Sequence, residues 1–390
     1  MFLEVLSDIG QLNNNSNFVN QTIASIKNLM SDRCNTQKCF NNMFITLRET
    51  ILPKVEELWD SLSQEERNSL SKINQFFCGL HFLVALADQA DTSLKIWENL
   101  CFPDGKVGSK QFSNYQKASN NGESGTTRTV RTSCKLVQST QGCEKSGKML
   151  KLSTWLKEKK NIDSVPLYPF LGNRFNILFL NGGGLFKIYD HLITFLEGLD
   201  KDNENQLVVA VKRDLKVRNF KVGCRALGLI NKLVTGPLWR KMVEEKSAIS
   251  MSGHYQKMVQ CFKKWADNPN DFILGKDSLF DNLLHKDDIF EALIEPNEAD
   301  FDLLKQLLSI IFGAFVMISE RMLYDHLHGA YKSPSAKLVE EAKNVPTTNA
   351  AAERDFGMLD RLMKSKPKAL DLVYEGIIMY TTNHTKEWRK

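Results

Sequence analysis

Apolar residues recur along most of this chain at the three- and four-residue spacing of amphipathic helices. Phe18, Val19, Ile23, Ile26, Leu29 and Met30 share one such face over residues 18–30. Phe40, Met43, Phe44, Leu47 and Ile51 share another that runs up to Pro53. Ser63 followed by Glu66 is the capping-box signature of a helix start. Residues 75–87 are almost continuously apolar, which suits a buried strand passing into a helix. Further helices are predicted over 185–200, 205–217, 221–247, 252–266, 286–294 and 300–328, with a short strand at 175–180. Residues 334–345 read as a polar linker, and 348–364 with 367–381 as two closing helices. No period of 20–50 residues recurs, so nothing points to a repeat architecture. The predicted class is mainly α.

One stretch breaks the periodicity. Residues 103–148 are rich in Ser, Thr, Asn, Gly and Lys and poor in large apolar side chains, predicting a long exposed loop, disordered at least over 105–125. The chain of 390 residues, 42% hydrophobic and 25% charged, is long enough for two or three domains with a sizeable core. Its longest apolar run, between Lys305 and Glu320, is broken by Gln306 and Ser309. That run is shorter than the roughly 20 residues a membrane-spanning helix needs. Glu4 and Asp8 are unlike the basic start of a signal peptide. An intracellular, soluble protein with no membrane association is expected, its eight cysteines reduced.

The net charge of +5 lies in blocks. Residues 103–148 hold eight Lys or Arg against three Asp or Glu, and residues 211–241 hold nine against one, Asp214. Such blocks suit a polyanion, although a solvated basic face is the commoner explanation of any one of them.

Three short motifs carry the candidate chemistry. Met30-Ser31-Asp32-Arg33 ends an apolar segment, where a carboxylate can project from a sheet end. Cys78-Gly79-Leu80-His81 precedes another apolar run. Near the end, Pro346 stops the preceding element, Thr347, Thr348 or Asn349 can cap, and three alanines open a helix that carries Glu353, Arg354 and Phe356. In this order the motifs resemble the C-terminal portion of hAT-type transposases: the second catalytic aspartate, a Cys-x-x-His block, and small residues leading into Glu-Arg-x-Phe. The resemblance covers residues 25–90 and 340–382, with the middle alike only in helical character.

The resemblance implies an incomplete ribonuclease-H-like α/β core interrupted by a large all-helical insertion. Residues 1–90 would form the first part of the core, 91–149 a basic flexible loop, 150–335 the insertion, and 336–390 the closing core helices and an association segment. Asp32 and Glu353 would be catalytic carboxylates holding Mg²⁺ or Mn²⁺ for phosphoryl transfer. DNA contacts would come from Cys78, His81, Trp97, Arg128, Arg131, Lys135, Lys212, Arg213, Lys216, Arg218, Lys221 and Arg354. The resemblance also implies a nuclear location and self-association through the C-terminal segment.

The chain departs from the family at the first catalytic aspartate. Upstream of Asp32 the only acidic residues are Glu4 and Asp8, and too few residues separate Asp8 from Asp32 for three strands and a helix. No zinc-finger module precedes the core. The expectation is therefore a transposase-derived DNA-binding protein with two of three metal-binding carboxylates, inactive as this chain alone. The competing expectation is a helical protein–protein interaction protein with no nucleic-acid role.

Each motif also has a simpler use. Asp32 can cap the helix starting near Asn35, and Glu353 can pair with Arg354 at the surface. Cys78 and His81 can be core neighbours, or join Cys34 and Cys39 as a zinc set. Trp97 can fill a core instead of stacking on a base. Asp325, His326 and His328 precede Gly329 and suit a helix end, where histidines face exposed carbonyls. Gly182-Gly183-Gly184 reads as a turn or helix-entry loop, without the following GK[ST] of a phosphate cradle. No nucleophile elbow, Walker loop or zinc-protease motif occurs.

Overall fold

The computed structural model describes residues 2–32, 34–103, 105, 107–111, 122–137, 149–170, 176–199 and 205–383. Helix accounts for 74% and strand for 2%, so the protein is mainly α. It divides into two compact units. The first comprises Met1–Leu80, Lys246–Ala248 and Ala336–Lys390; the second comprises His81–Glu245 and Ile249–Ser335.

In the first unit, strands β1 (Asn28–Ser31) and β2 (Asn74–Phe77) pair in parallel, Asn28 opposite Asn74 and Ser31 opposite Phe77. Parallel strands need a crossover between them. The helices Asn35–Val55 and Gln64–Ser71 supply it, the second opened by the expected Ser63–Glu66 capping box. Buried Leu6, Ile23, Phe44 and Ile51 form the core, flanked by Phe18, Leu29 and Ile73. Arg48 is also buried, and its guanidinium donates to Ser71 O at 3.0 Å and to Ala24 O at 2.9 Å.

Two expectations fail in this unit. The helix expected over 18–30 stops at Ser25, and the chain extends into β1. The deciding partner is remote: Asn74 Nδ2 donates to Asn28 Oδ1 at 3.1 Å across the ladder. The expected linker at 334–345 contains the helix Ala336–Ala342, with Leu338 and Ala342 buried. Its Glu341 carbonyl accepts from Asn28 Nδ2 at 2.8 Å.

The second unit has helices and connecting segments but no strand among its described residues. The helix Gly79–Cys101 enters it from the first unit. The expected flexible loop over 91–149 is corrected in two places. Residues 91–101 complete that helix, and Gly125–Val137 is a helix with eleven of its thirteen residues buried. Two of its hydroxyls turn inward on its own backbone, Thr129 Oγ1 donating to Gly125 O at 2.7 Å and Thr132 Oγ1 to Arg128 O at 2.8 Å. Such bonds lower the cost of placing a polar sequence in a core. Residues 112–121 and 138–148 of the expected loop lie outside the described residues.

The triple glycine is neither a turn nor a loop. It lies inside the helix Ile177–Glu197, against the helix Arg218–Ile230. A Cβ on Gly183 would sit 3.1 Å from Gly228 Cα, so glycine permits this backbone approach. The strand expected at 175–180 is helical from Ile177, Phe175 lying outside the described residues.

The helix expected over 300–328 runs instead from Glu298 to Met322, and it is apolar enough by composition to cross a membrane. Its buried positions, among them Leu304, Leu308, Ile311 and Phe315, recur at core-helix spacing. Phe312 meets Phe272 and Trp265 at ring-centroid distances of 4.9 and 5.1 Å.

Candidate functional site at the ends of two parallel strands

Within the first unit the three sequence motifs converge at the carboxyl ends of β1 and β2. Asp32 directly follows β1 and Cys78 directly follows β2, with Cys78 N donating to Ser31 O at 3.0 Å. Gly79 N donates to Thr347 O at 3.1 Å, which brings the C-terminal motif to the same place. Buried Cys78 donates its thiol to Asn349 Oδ1 at 2.7 Å, and Asn349 N reaches the sulfur at 3.4 Å. Asn349 precedes the helix Ala350–Ser365, and its Nδ2 lies 3.5 Å from Glu353 Oε1. In open parallel sheets, ligand sites form outside the carboxyl ends of the strands.

Asp32 does not cap the next helix, whose N-cap is Cys34. Asp32 Oδ1 accepts from Cys34 N at 3.0 Å, closing an Asx turn just before the helix Asn35–Val55. Glu353 is half-buried and Arg354 is exposed. No three His, Cys, Asp or Glu side chains converge as a metal-binding group among the described residues. The alternative zinc set is likewise unassembled, with Cys34 and Cys39 exposed and Cys78 buried.

Several expected DNA contacts are corrected. Arg128 is fully buried, donating to Asp214 through Nε at 3.0 Å and Nη2 at 2.9 Å. Ser109 completes this site, its N and Oγ donating to Asp214 at 2.7 and 3.0 Å. Burial opposes the Arg128 charge, but the Asp214 carboxylate outweighs it and holds the guanidinium protonated. Trp97 is a core residue, 1% exposed, and Cys78 is buried at the strand junction described above. Arg131 pairs with Glu123, Lys216 with Glu197 at 3.3 Å, Arg218 with Asp300 at 2.6 Å and Lys221 with Asp190 at 2.8 Å. Lys135 is exposed, whereas Lys212, Arg213 and, in the second unit, His81 are half-buried.

At least five of the nine cations of the basic block 211–241 are therefore paired with carboxylates. Its carboxylate partners come from residues 190–300, which a local charge count omits. One buried carboxylate was missed altogether. Glu98 accepts from Gly125 N at 2.5 Å and from Thr126 N and Oγ1 at 2.8 Å, capping the helix Gly125–Val137 from afar. Burial pushes the Glu98 carboxyl up despite these bonds.

His326 is buried with Nδ1 2.8 Å from Ser252 Oγ, and His328 lies 2.5 Å from Glu320, so both have structural partners. No protein-family model, no curated protein and no solved structure matches this chain.

Proposed function

We propose that this is a transposase-derived, nuclear DNA-binding protein built on an incomplete ribonuclease-H-like core interrupted by a helical insertion. One observation carries the reading: the hydrogen-bonded path from Ser31 through Cys78 to Asn349 and Glu353. It gathers motifs from three distant parts of the sequence at the carboxyl ends of a parallel strand pair. A helical crossover between the strands and a closing helix bearing Glu353 suit such a core.

Asp32 and Glu353 supply two carboxylates for Mg²⁺ or Mn²⁺. Two such ligands leave most of an octahedral shell to water, so this chain alone is expected to bind DNA without cutting it. The phosphate contacts still in question are the exposed Lys135 and Arg354. The test is a mobility-shift series on duplex DNA at increasing salt. Affinity that falls linearly on a log–log plot supports the reading, because each neutralised phosphate releases counterions. No binding at low salt, or binding indifferent to salt, overturns it.

A second reading, a helical interaction protein, has its own observation. The helices Ala350–Ser365 and Asp371–Thr382 leave Phe356, Met363, Leu370, Leu372 and Met379 exposed. Such a surface suits self-association. A strict monomer in light scattering over a wide concentration range counts against it.

A further inference from the structure

We infer that a cleft in the second unit binds a mononucleotide unit, a planar heterocycle joined to a phosphate. The cleft has a volume of about 380 Å³, within the range of small-molecule sites. It does not depend on the strand-end reading, since it asks for one nucleotide rather than a duplex.

The backbone is unusual on two sides of this cleft. Asn176, at the start of the helix Ile177–Glu197, has φ of +73°, the left-handed region that side chains rarely occupy. The helix Arg218–Ile230 continues into a π-helical turn, Asn231–Thr235. Such departures are costly and cluster at functional sites. The two meet directly, Asn176 Nδ2 donating to Asn231 Oδ1 at 2.7 Å. Asn176 Oδ1 is buried with no donor, a polar atom at the cleft wall left without a hydrogen bond.

The charge at the cleft favours an anion. Arg240 Nε donates to Leu283 O at 2.8 Å, which fixes the guanidinium plane, and among the described residues no carboxylate pairs with it. Asp287 is shared between Lys232 at 2.6 Å and His285 at 3.3 Å. A guanidinium fork without a counter-ion matches two phosphate oxygens. Gly236 keeps that fork open. A Cβ there would lie 2.7 Å from Asn231 O and 3.4 Å from Arg240 Nη2. The half-buried Trp239 adds a flat apolar wall, against which a heterocycle can stack.

The experiment is calorimetric titration of the full chain with AMP, GMP, CMP and UMP. Adenosine and inorganic phosphate serve as the separate halves, and a short oligothymidylate as the strand-borne source. At least one nucleotide is expected to saturate at sub-millimolar concentration, with each half binding about tenfold more weakly or worse. Arg240→Met should weaken that binding about tenfold with unchanged circular dichroism. His285→Ala, at a side chain 70% exposed and so safe for folding, should weaken it about threefold. Saturation by the oligonucleotide alone, sensitive to both substitutions, assigns the cleft to a strand-borne nucleotide. No saturable binding by any of these, or equal binding by wild type and both variants, overturns the inference. Because the mononucleotide arm is separate from duplex binding, failure here leaves the salt-series test of the strand-end reading intact.

Discussion

Cys78 and Asn349, 271 positions apart, bond to each other twice: thiol to side-chain oxygen at 2.7 Å and backbone N–H to sulfur at 3.4 Å. This contact ties the end of β2 to the start of the helix Ala350–Ser365, which has no fully buried residue of its own. Cys78→Ala removes the donor to Asn349 and should cost about 1–3 kcal/mol. It should also speed amide exchange across residues 350–365, because little else holds that helix. Cys78→Ser keeps a donor and should have the smaller effect. Unchanged exchange in Cys78→Ala, measured by mass spectrometry, would show that the contact does not anchor the helix.

The Arg128–Asp214 pair predicts a different signature. Both side chains are fully buried, so Asp214→Ala strands a charge and should destabilise by about 3–5 kcal/mol in denaturant titration. The double variant Arg128→Met, Asp214→Leu should recover part of that loss, since neither member of the pair is then left as an unpaired buried charge. Equal losses in the single and double variants would contradict this.

Two glycines in helices should respond oppositely to alanine. A Cβ on Gly228 would lie 2.6 Å from both Gly183 Cα and Leu293 Cδ2, and the backbone cannot yield locally. Gly228→Ala should cost about 1–3 kcal/mol through overpacking. Gly313, inside the helix Glu298–Met322, meets nothing within 4 Å, so Gly313→Ala should be neutral or stabilise by up to about 1 kcal/mol. Thermal unfolding of the two variants decides it.

Glu245 gives an acid dependence. Partial burial would raise its carboxyl, but bonds from Ser250, Lys241 and His254 outweigh this and hold it down at about 2. Because the folded value lies below the ordinary 4.5, the stabilisation is present above pH 4.5 and is lost as pH falls towards 2. Glu245→Gln should flatten the stability profile in that window and lower stability at pH 7. A profile parallel to wild type between pH 5 and 2 would rule this out.

For DNA binding, the exposed Lys135 and Arg354 should matter individually. Changing either to Gln should reduce the log–log salt slope by about 0.9. Lys221→Gln, at a cation already paired with Asp190, should change it less. Slopes unchanged in both Lys135→Gln and Arg354→Gln would remove these residues from the interface.

The sequence by itself determined the elements whose signals are local. Apolar spacing located most of the helices, and Ser63 with Glu66 fixed a helix start. Pro346 and the alanine run placed the helix that carries Glu353. The order of the Asp32, Cys78 and Glu353 motifs was also legible, though their convergence was not.

Tertiary structure decided whatever depended on remote partners. Residues 28–31 became a strand because Asn74 lies beside Asn28. The Thr-rich segment 125–137 became a buried helix because Glu98 caps it and the Thr129 and Thr132 hydroxyls bond its own backbone. The basic block 211–241 lost part of its apparent surplus because Asp190, Glu197, Asp287 and Asp300 fold against it. Periodicity and helix caps act within a few residues, whereas ladder pairing, buried ion pairs and backbone approach at glycine need distant segments brought together by the fold.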